Sequence, residues 1–411
     1  MNLVKENRFI RHSMIANFFN QFGSSLYNIV FIIYVATTFH SKLYISVANM
    51  IIMVPIFFQL WIAQKADETE LKSKWIIRIG WIQGCFFFVI AFLTGKVSLF
   101  AFSIICFLNI ISDCLSCYQS SLYTPIFSHQ VHKEQLIEAY SLNNIIGYIC
   151  VIGGQTTGVW ILNATHQQFK VIAILNAISF ILSSLIFWSI KDDLRHGQVL
   201  KSSETTFFKK IKASYQLAIQ TFNENEKVSF RWMFVCIVLM NVLSTAISPI
   251  LLIYYLDHSL FSFSYGESIL LLQIVGLVFG ILGNLHPEGY FAQKSLVSIL
   301  KMSTVVLVVT GFIGILNLPS IFIILLSGGD AFLTGKFNPK LSAFWARSIP
   351  ENQLAQVRTL ISTVVMAAIP IGTVVFSALA SYSVKLSWFV FFGISMGVMI
   401  SIVSYKGKEV D

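Results

Sequence analysis

Twelve apolar runs, each long enough to cross a bilayer, constrain this chain more than any other feature. A hydrocarbon core of ~30 Å takes ~20 residues of helix. Such runs fall at roughly 12–37, 43–64, 75–94, 97–122, 136–162, 170–190, 231–256, 266–285, 296–316, 319–343, 354–381 and 385–404. The chain of 411 residues is 56% hydrophobic and 11% charged, so no sizeable soluble domain fits. Soluble chains carry about 25% charged residues. Lipid offers the backbone no hydrogen-bond partner, so each run must be a helix. The fold class expected is an all-α polytopic membrane protein with twelve transmembrane helices. The first run is too long for a signal-peptide core and counts as a helix.

The basic residues give sidedness. With the N-terminus on one side, 24 of the 28 Lys and Arg fall on that same side. Only Lys42, Lys96, Lys170 and Lys385 fall opposite. Basic loops stay cytoplasmic, so both termini are expected inside and the number of spans is even. The net charge of +9 is thereby a topology signal and calls for no nucleic-acid partner.

The longest interruption, 191–230, splits the chain into an N-terminal six-helix bundle (1–190), a linker and a C-terminal bundle (231–411). Within the linker Phe208, Ile211, Tyr215, Ile219 and Phe222 recur at helical spacing, which predicts an amphipathic helix on the inner membrane surface. The halves resemble each other. Gln135-Leu136 and Ser141-Leu142 match Gln353-Leu354 and Thr359-Leu360 at an offset of 218, which also sets Gly154 on Gly372. Asp113 falls one residue from the mate of Asp330. Two six-span halves in one orientation are the parallel-repeat plan of major facilitator transporters, the fold expected here.

Polar residues form stripes in four runs that are mates under this repeat. The first run carries Asn17, Gln21, Ser24 and Asn28; the fourth Asn109, Ser112, Asp113, Ser116 and Ser120. The seventh carries Asn241, Ser244, Thr245 and Ser248; the tenth Ser327, Asp330, Thr334 and Asn338. Spacings of three and four put each set on one helix face. A shared cavity explains all four stripes; the alternative is hydrogen bonding inside a closed bundle. Asp113 and Asp330 are the only acids deep inside an apolar run. An ion there is costly, so both are candidates for proton coupling or for holding a cationic cargo. Glycines spaced by four, Gly154/Gly158 and Gly276/Gly280, predict close helix crossings.

The six cysteines lie inside apolar runs, which argues against disulfides or a zinc site. The eight histidines sit in loops or near run ends, so no metal site is expected. No P-loop, cofactor motif or nucleophile–base pairing stands out, and neither a cofactor nor an enzyme activity is expected.

The run Ile349-Pro350-Glu351-Asn352-Gln353-Leu354-Ala355-Gln356-Val357-Arg358-Thr359-Leu360, followed by Pro370-Ile371-Gly372, is similar to a P-x-x-x-x-G-R-V-x-S-L…P-x-G pattern. That pattern belongs to macrolide-efflux-type drug exporters of the major facilitator superfamily, which the chain resembles over essentially its whole length. Lys133-Glu134-Gln135-Leu136 resembles the matching P-E-E-Q-L of the first half. Of the superfamily's G-x-x-x-D-R-x-x-R-K loop only Asp67 and Lys72 remain. The resemblance implies that Asp67 latches an inner gate. It also implies a bacterial cytoplasmic-membrane protein, working as a monomer, that exports a small amphipathic or hydrophobic, drug-like molecule by alternating access. Protons are the candidate coupling ion. Two alternatives stand beside it: an uptake permease for a nutrient or metabolite, and a non-transporting immunity or signalling protein on a transporter fold.

Overall fold

A computed structural model describes residues 7–96, 98–131, 136–194, 216, 219, 229–285, 290–291, 293–348 and 351–404. The chain divides into two compact units, 1–202 and 203–411. Unit 1 holds α1 (Arg8–Phe39), α2 (Lys42–Ile51), α3 (Val54–Asp67), α4 (Lys72–Leu93), α5 (Leu99–Gln130), α6 (Leu136–Ala164) and α7 (Phe169–Ser189). Unit 2 holds α8 (Phe230–Tyr254), α9 (Tyr265–Leu285), α10 (Leu296–Ile315), α11 (Ser320–Ser348), α12 (Glu351–Tyr382) and α13 (Val384–Ser404). Among the described residues twelve spans are long and apolar enough to cross a membrane, and no strand occurs. The protein is a multi-pass membrane protein of the all-α, twelve-helix class.

Helix ends follow local chemistry. Asn7 caps α1 by accepting from the Ile10 amide at 3.2 Å, and α1 stops at His40, whose φ of 46° is left-handed. Ser98 and Ser295 cap α5 and α10 in the same way, each at 3.1 Å. The second apolar run is not the single helix expected over 43–64. It breaks between Ile51 and Val54, because Pro55 cannot donate to the Ile51 carbonyl and its ring crowds that oxygen. The linker prediction over 191–230 falls almost wholly outside the described residues; Gln216 and Ile219 are helical.

Each unit packs by one plan. In unit 1, α1 lies against α6 and α7, α4 against α5 and α7, and α3 against α5. In unit 2, α8 lies against α12 and α13, α10 against α11 and α13, and α9 against α11. The pairs correspond one to one under the six-span repeat. So do their contacts: a Cβ on Gly154 would lie 2.8 Å from the Phe22 carbonyl oxygen of α1. On its mate Gly372 a Cβ would press on the Val242 carbonyl and the Thr245 hydroxyl of α8. Gly158 continues the α1–α6 seam: a Cβ there would lie 2.6 Å from the Leu26 oxygen.

The expected Gly276/Gly280 crossing is displaced. A Cβ on Gly276 would meet open space, and one on Gly280 only the Ala331 oxygen at 3.9 Å. The tight contact lies one turn on, where Gly283 abuts Phe332 and Gly335 of α11. The four-residue spacing was present, but α11 supplies its own glycine opposite Gly283 and the backbones close there. Gly283→Ala should therefore cost about 1–3 kcal/mol by overpacking. Gly276→Ala should be neutral or stabilising, by up to about 1 kcal/mol, through helix propensity. Thermal unfolding of the detergent-solubilised protein compares the two, and equal effects contradict this seam.

Candidate functional site

In unit 1 the polar stripes divide into paired and unpaired groups. Asn17, Gln21, Ser24 and Asn28 on α1 are half-buried, and none has a hydrogen-bond partner among the described residues. On α5, Asn109 is buried and donates to the Tyr27 hydroxyl at 3.2 Å. Ser112 is buried too. Gln83 of α4 donates to its carbonyl at 3.0 Å, its hydroxyl at 3.1 Å and the Ser116 hydroxyl at 2.8 Å. Asn109 and Ser112 thus serve helix packing. Asp113 is half-buried, one turn from Ser116, and no partner meets its carboxylate among the described residues.

A cavity of about 250 Å³ lies between α1, α5, α6 and α7, at the end of the unit that carries the N-terminus. It takes in Asn17, Gln21 and Ser116, but not Ser24 or Asn28. Asn20, Gln119, Ser120, Thr124 and Asn143 complete its polar lining, and Tyr123, Phe127 and Phe187 its aromatic side. Asn20 donates to Gln119 at 2.9 Å, and Gln119 donates to the Ile76 carbonyl at 2.9 Å. Ser120 belongs to the predicted stripe; Asn20, Gln119, Thr124, Asn143 and Gln83 do not. Asn20 stands three residues from Asn17, and Gln119 three from Ser116, so helical spacing held the signal. Gln83 is a lone amide in an apolar run, which carries no pattern.

Unit 2 is organised around Asp330, only 3% exposed on α11. Ser244 of α8 donates to one carboxylate oxygen at 2.6 Å, and Ser303 of α10 donates to the other through a short contact. One acid therefore ties three helices. A second cavity, about 70 Å³, is lined by both serines, Asn241, Thr334 and Asn338, with apolar walls from residues such as Met240 and Phe337. Asn241 and Thr245 bond to carbonyls of their own helix. Ser248 is half-buried with no partner among the described residues. Ser303 gave no sequence signal, because serines in apolar helices commonly bond their own backbone.

The gate-loop expectation falls partly outside view. Asp67 ends α3, but its side chain lies outside the described residues; Lys72 opens α4 and is buried. Beside them exposed Lys65 pairs with Glu68 at 2.9 Å and holds that carboxyl below its usual range. The side chains of the 349–360 motif, and residues 132–135, lie outside the described residues.

Residues 13–373 match the family described as the Major Facilitator Superfamily. The chain belongs to that family. Its fold recurs in a POT family transporter solved with 5-aminolevulinic acid (TM-score 0.68, 13% identity, 96% of this chain and 95% of that one). It recurs in a mutant of the nucleoside transporter NupG (0.69, 11%, 96% and 99%). An inward-facing bacterial homologue of the iron transporter ferroportin also shares it (0.68, 15%, 96% and 98%). At these identities the likeness is one of fold. No curated protein sequence matches the chain. The family and these neighbours are transporters, not enzymes.

The Asp330 clamp makes a stability prediction. Ser303→Ala removes one of two donors from a buried carboxylate and should cost about 1–3 kcal/mol. Ser248→Ala removes nothing that is bonded and should stay within about 0.5 kcal/mol. Comparable losses in the unfolding of both variants would contradict the clamp.

Proposed function

We propose that this protein is a secondary transporter in which two six-helix halves alternate access to a small-molecule site, with protons as coupling ion and Asp330 as the exchange site. The observation that carries the reading is a buried acid held by two serine hydroxyls and by no Lys or Arg among the described residues. As a carboxylate it accepts from both serines. A proton on either oxygen makes that oxygen a donor, and its serine can then turn from donor to acceptor. Proton binding thereby rewires a contact among α8, α10 and α11, and intramembrane acids commonly mark such relays. Asp113, without a partner among the described residues, is the second candidate.

Outward transport of an amphipathic, drug-like cargo is carried by the sequence resemblance, together with the apolar walls of the unit 2 cavity. Uptake of a nutrient or metabolite is the competing direction. The same reading includes a monomer in a bacterial cytoplasmic membrane, with both termini inside. The test uses energised everted vesicles, a pH-sensitive dye and a panel of antibiotics, dyes and metabolites. An exported, proton-coupled cargo accumulates inside and collapses part of the pH gradient. Asp330→Asn should lower that coupled flux at least tenfold, and Asp113→Asn should shift its pH dependence. If flux and pH dependence survive both substitutions, the proton role is lost. A protein that moves nothing in the panel but binds a partner supports the immunity or signalling alternative.

A further inference from the structure

The unit 1 cavity carries more chemistry than the coupling reading uses. Five carboxamides line it, from Asn17, Asn20, Gln21, Gln119 and Asn143, and among the described residues no Asp, Glu, Lys or Arg does. A carboxamide presents a donor and an acceptor side by side, which matches neighbouring hydroxyls, each of them donor and acceptor at once. An ion would find no countercharge among the described lining residues, and uncompensated burial of charge is costly. The opposite side is aromatic: the Tyr123 ring lies tilted against Phe127 at 5.4 Å and against Phe187 at 5.8 Å between centroids. Amide walls with an aromatic side suit a ring with hydroxyls on its rim and C–H groups on its face. The cavity, about 250 Å³, falls below the ~300–1,000 Å³ typical of drug-sized pockets. Exposed Ser120 and Thr124 make it reachable from the N-terminal end of the unit. Asn20 and Gln119, bonded to each other and to Ile76, hold the wall in place, while Asn17 and Gln21 are left to bond a ligand.

We infer that this cavity is a subsite for an uncharged, polyhydroxylated ring of about monosaccharide size, as a free sugar or as the sugar of a nucleoside or aryl glycoside. The inference rests on the transporter reading and narrows its cargo. Its test measures thermal unfolding of the reconstituted full-length protein with three sets of neutral probes: hexoses and pentoses, ribonucleosides, and phenyl glycosides. Tetraphenylphosphonium and a charged dipeptide serve as ionic probes. Binding to the folded state raises the melting temperature by mass action. At least one neutral set should raise it by several degrees at millimolar concentration, and which set responds identifies the source of the ring. The double variant Asn17→Leu/Gln21→Leu, at a ligand-free melting temperature close to the parent's, should weaken that binding at least tenfold. The inference is overturned if no neutral probe stabilises the protein. It is equally overturned if the double variant responds like the parent, or if the variant loses only a response to the ionic probes. Counterflow of the responding probe in proteoliposomes separates the two claims. Binding without flux defeats the transporter reading and leaves the subsite standing; flux of an ionic probe without polyol binding does the reverse.

Discussion

A hydrocarbon solvent cannot take a hydrogen bond, and this one constraint governs the structure at every level. It forces each of the twelve apolar runs into helix, because only a helix satisfies its backbone within itself. It also removes the hydrophobic effect as a reason for helices to meet, since lipid is as apolar as leucine. What remains is close contact and polar pairing. Both appear here at matching places in the two units: Gly154 brings α6 onto α1 as Gly372 brings α12 onto α8. The repeat is thus a repeat of contacts, of which the sequence match is a faint trace.

The same constraint sorts the polar side chains. A group such as Asn109, Ser112 or Gln83 is buried and bonded to a neighbouring helix, where it acts as a fastener. A group such as Asn17, Gln21 or Ser24 is half-buried with no partner among the described residues, a state that lipid would penalise and water or a ligand would relieve. Asp330 combines the two cases. Its carboxylate is sealed, yet both of its partners line a cavity. The units therefore differ in chemistry while sharing a plan: unit 1 offers neutral amides and aromatic rings, and unit 2 offers a buried acid behind a small, mostly apolar pocket.

Much of the fold was legible before any coordinates. Run length, the Lys and Arg ladder and the 218-residue offset are global signals, averaged over many residues, and they carried the number and order of the helices. The break at Pro55 was written in the sequence too, but a run of apolar residues on both sides masked it. The lining of the two cavities was legible in part. Stripe spacing put Asn17, Gln21, Ser116, Ser244 and Thr334 on faces, and these residues do line the two cavities. Spacing along one helix cannot say what the next helix offers, so it could not separate Asn109 and Ser112, spent on Tyr27 and Gln83, from residues left free. It could not find Ser303 either, since nothing local distinguishes a serine that bonds Asp330 from one that bonds its own backbone. Gly276 failed for the same reason: its spacing was correct, but its neighbour was elsewhere.

The central claim is that in unit 1 the unpaired Asn17 and Gln21 face water or cargo while the paired Asn109 and Ser112 face protein. Its most direct measurement is thiol reactivity in a variant from which the six native cysteines have been removed. Single substitutions Asn17→Cys, Gln21→Cys, Asn109→Cys and Ser112→Cys are exposed in everted vesicles to a membrane-impermeant maleimide, and the labelling rates are compared. The account predicts ready labelling at the first two positions and labelling at least tenfold slower at the last two. Equal rates at all four positions, or faster labelling at 109 and 112, would contradict it.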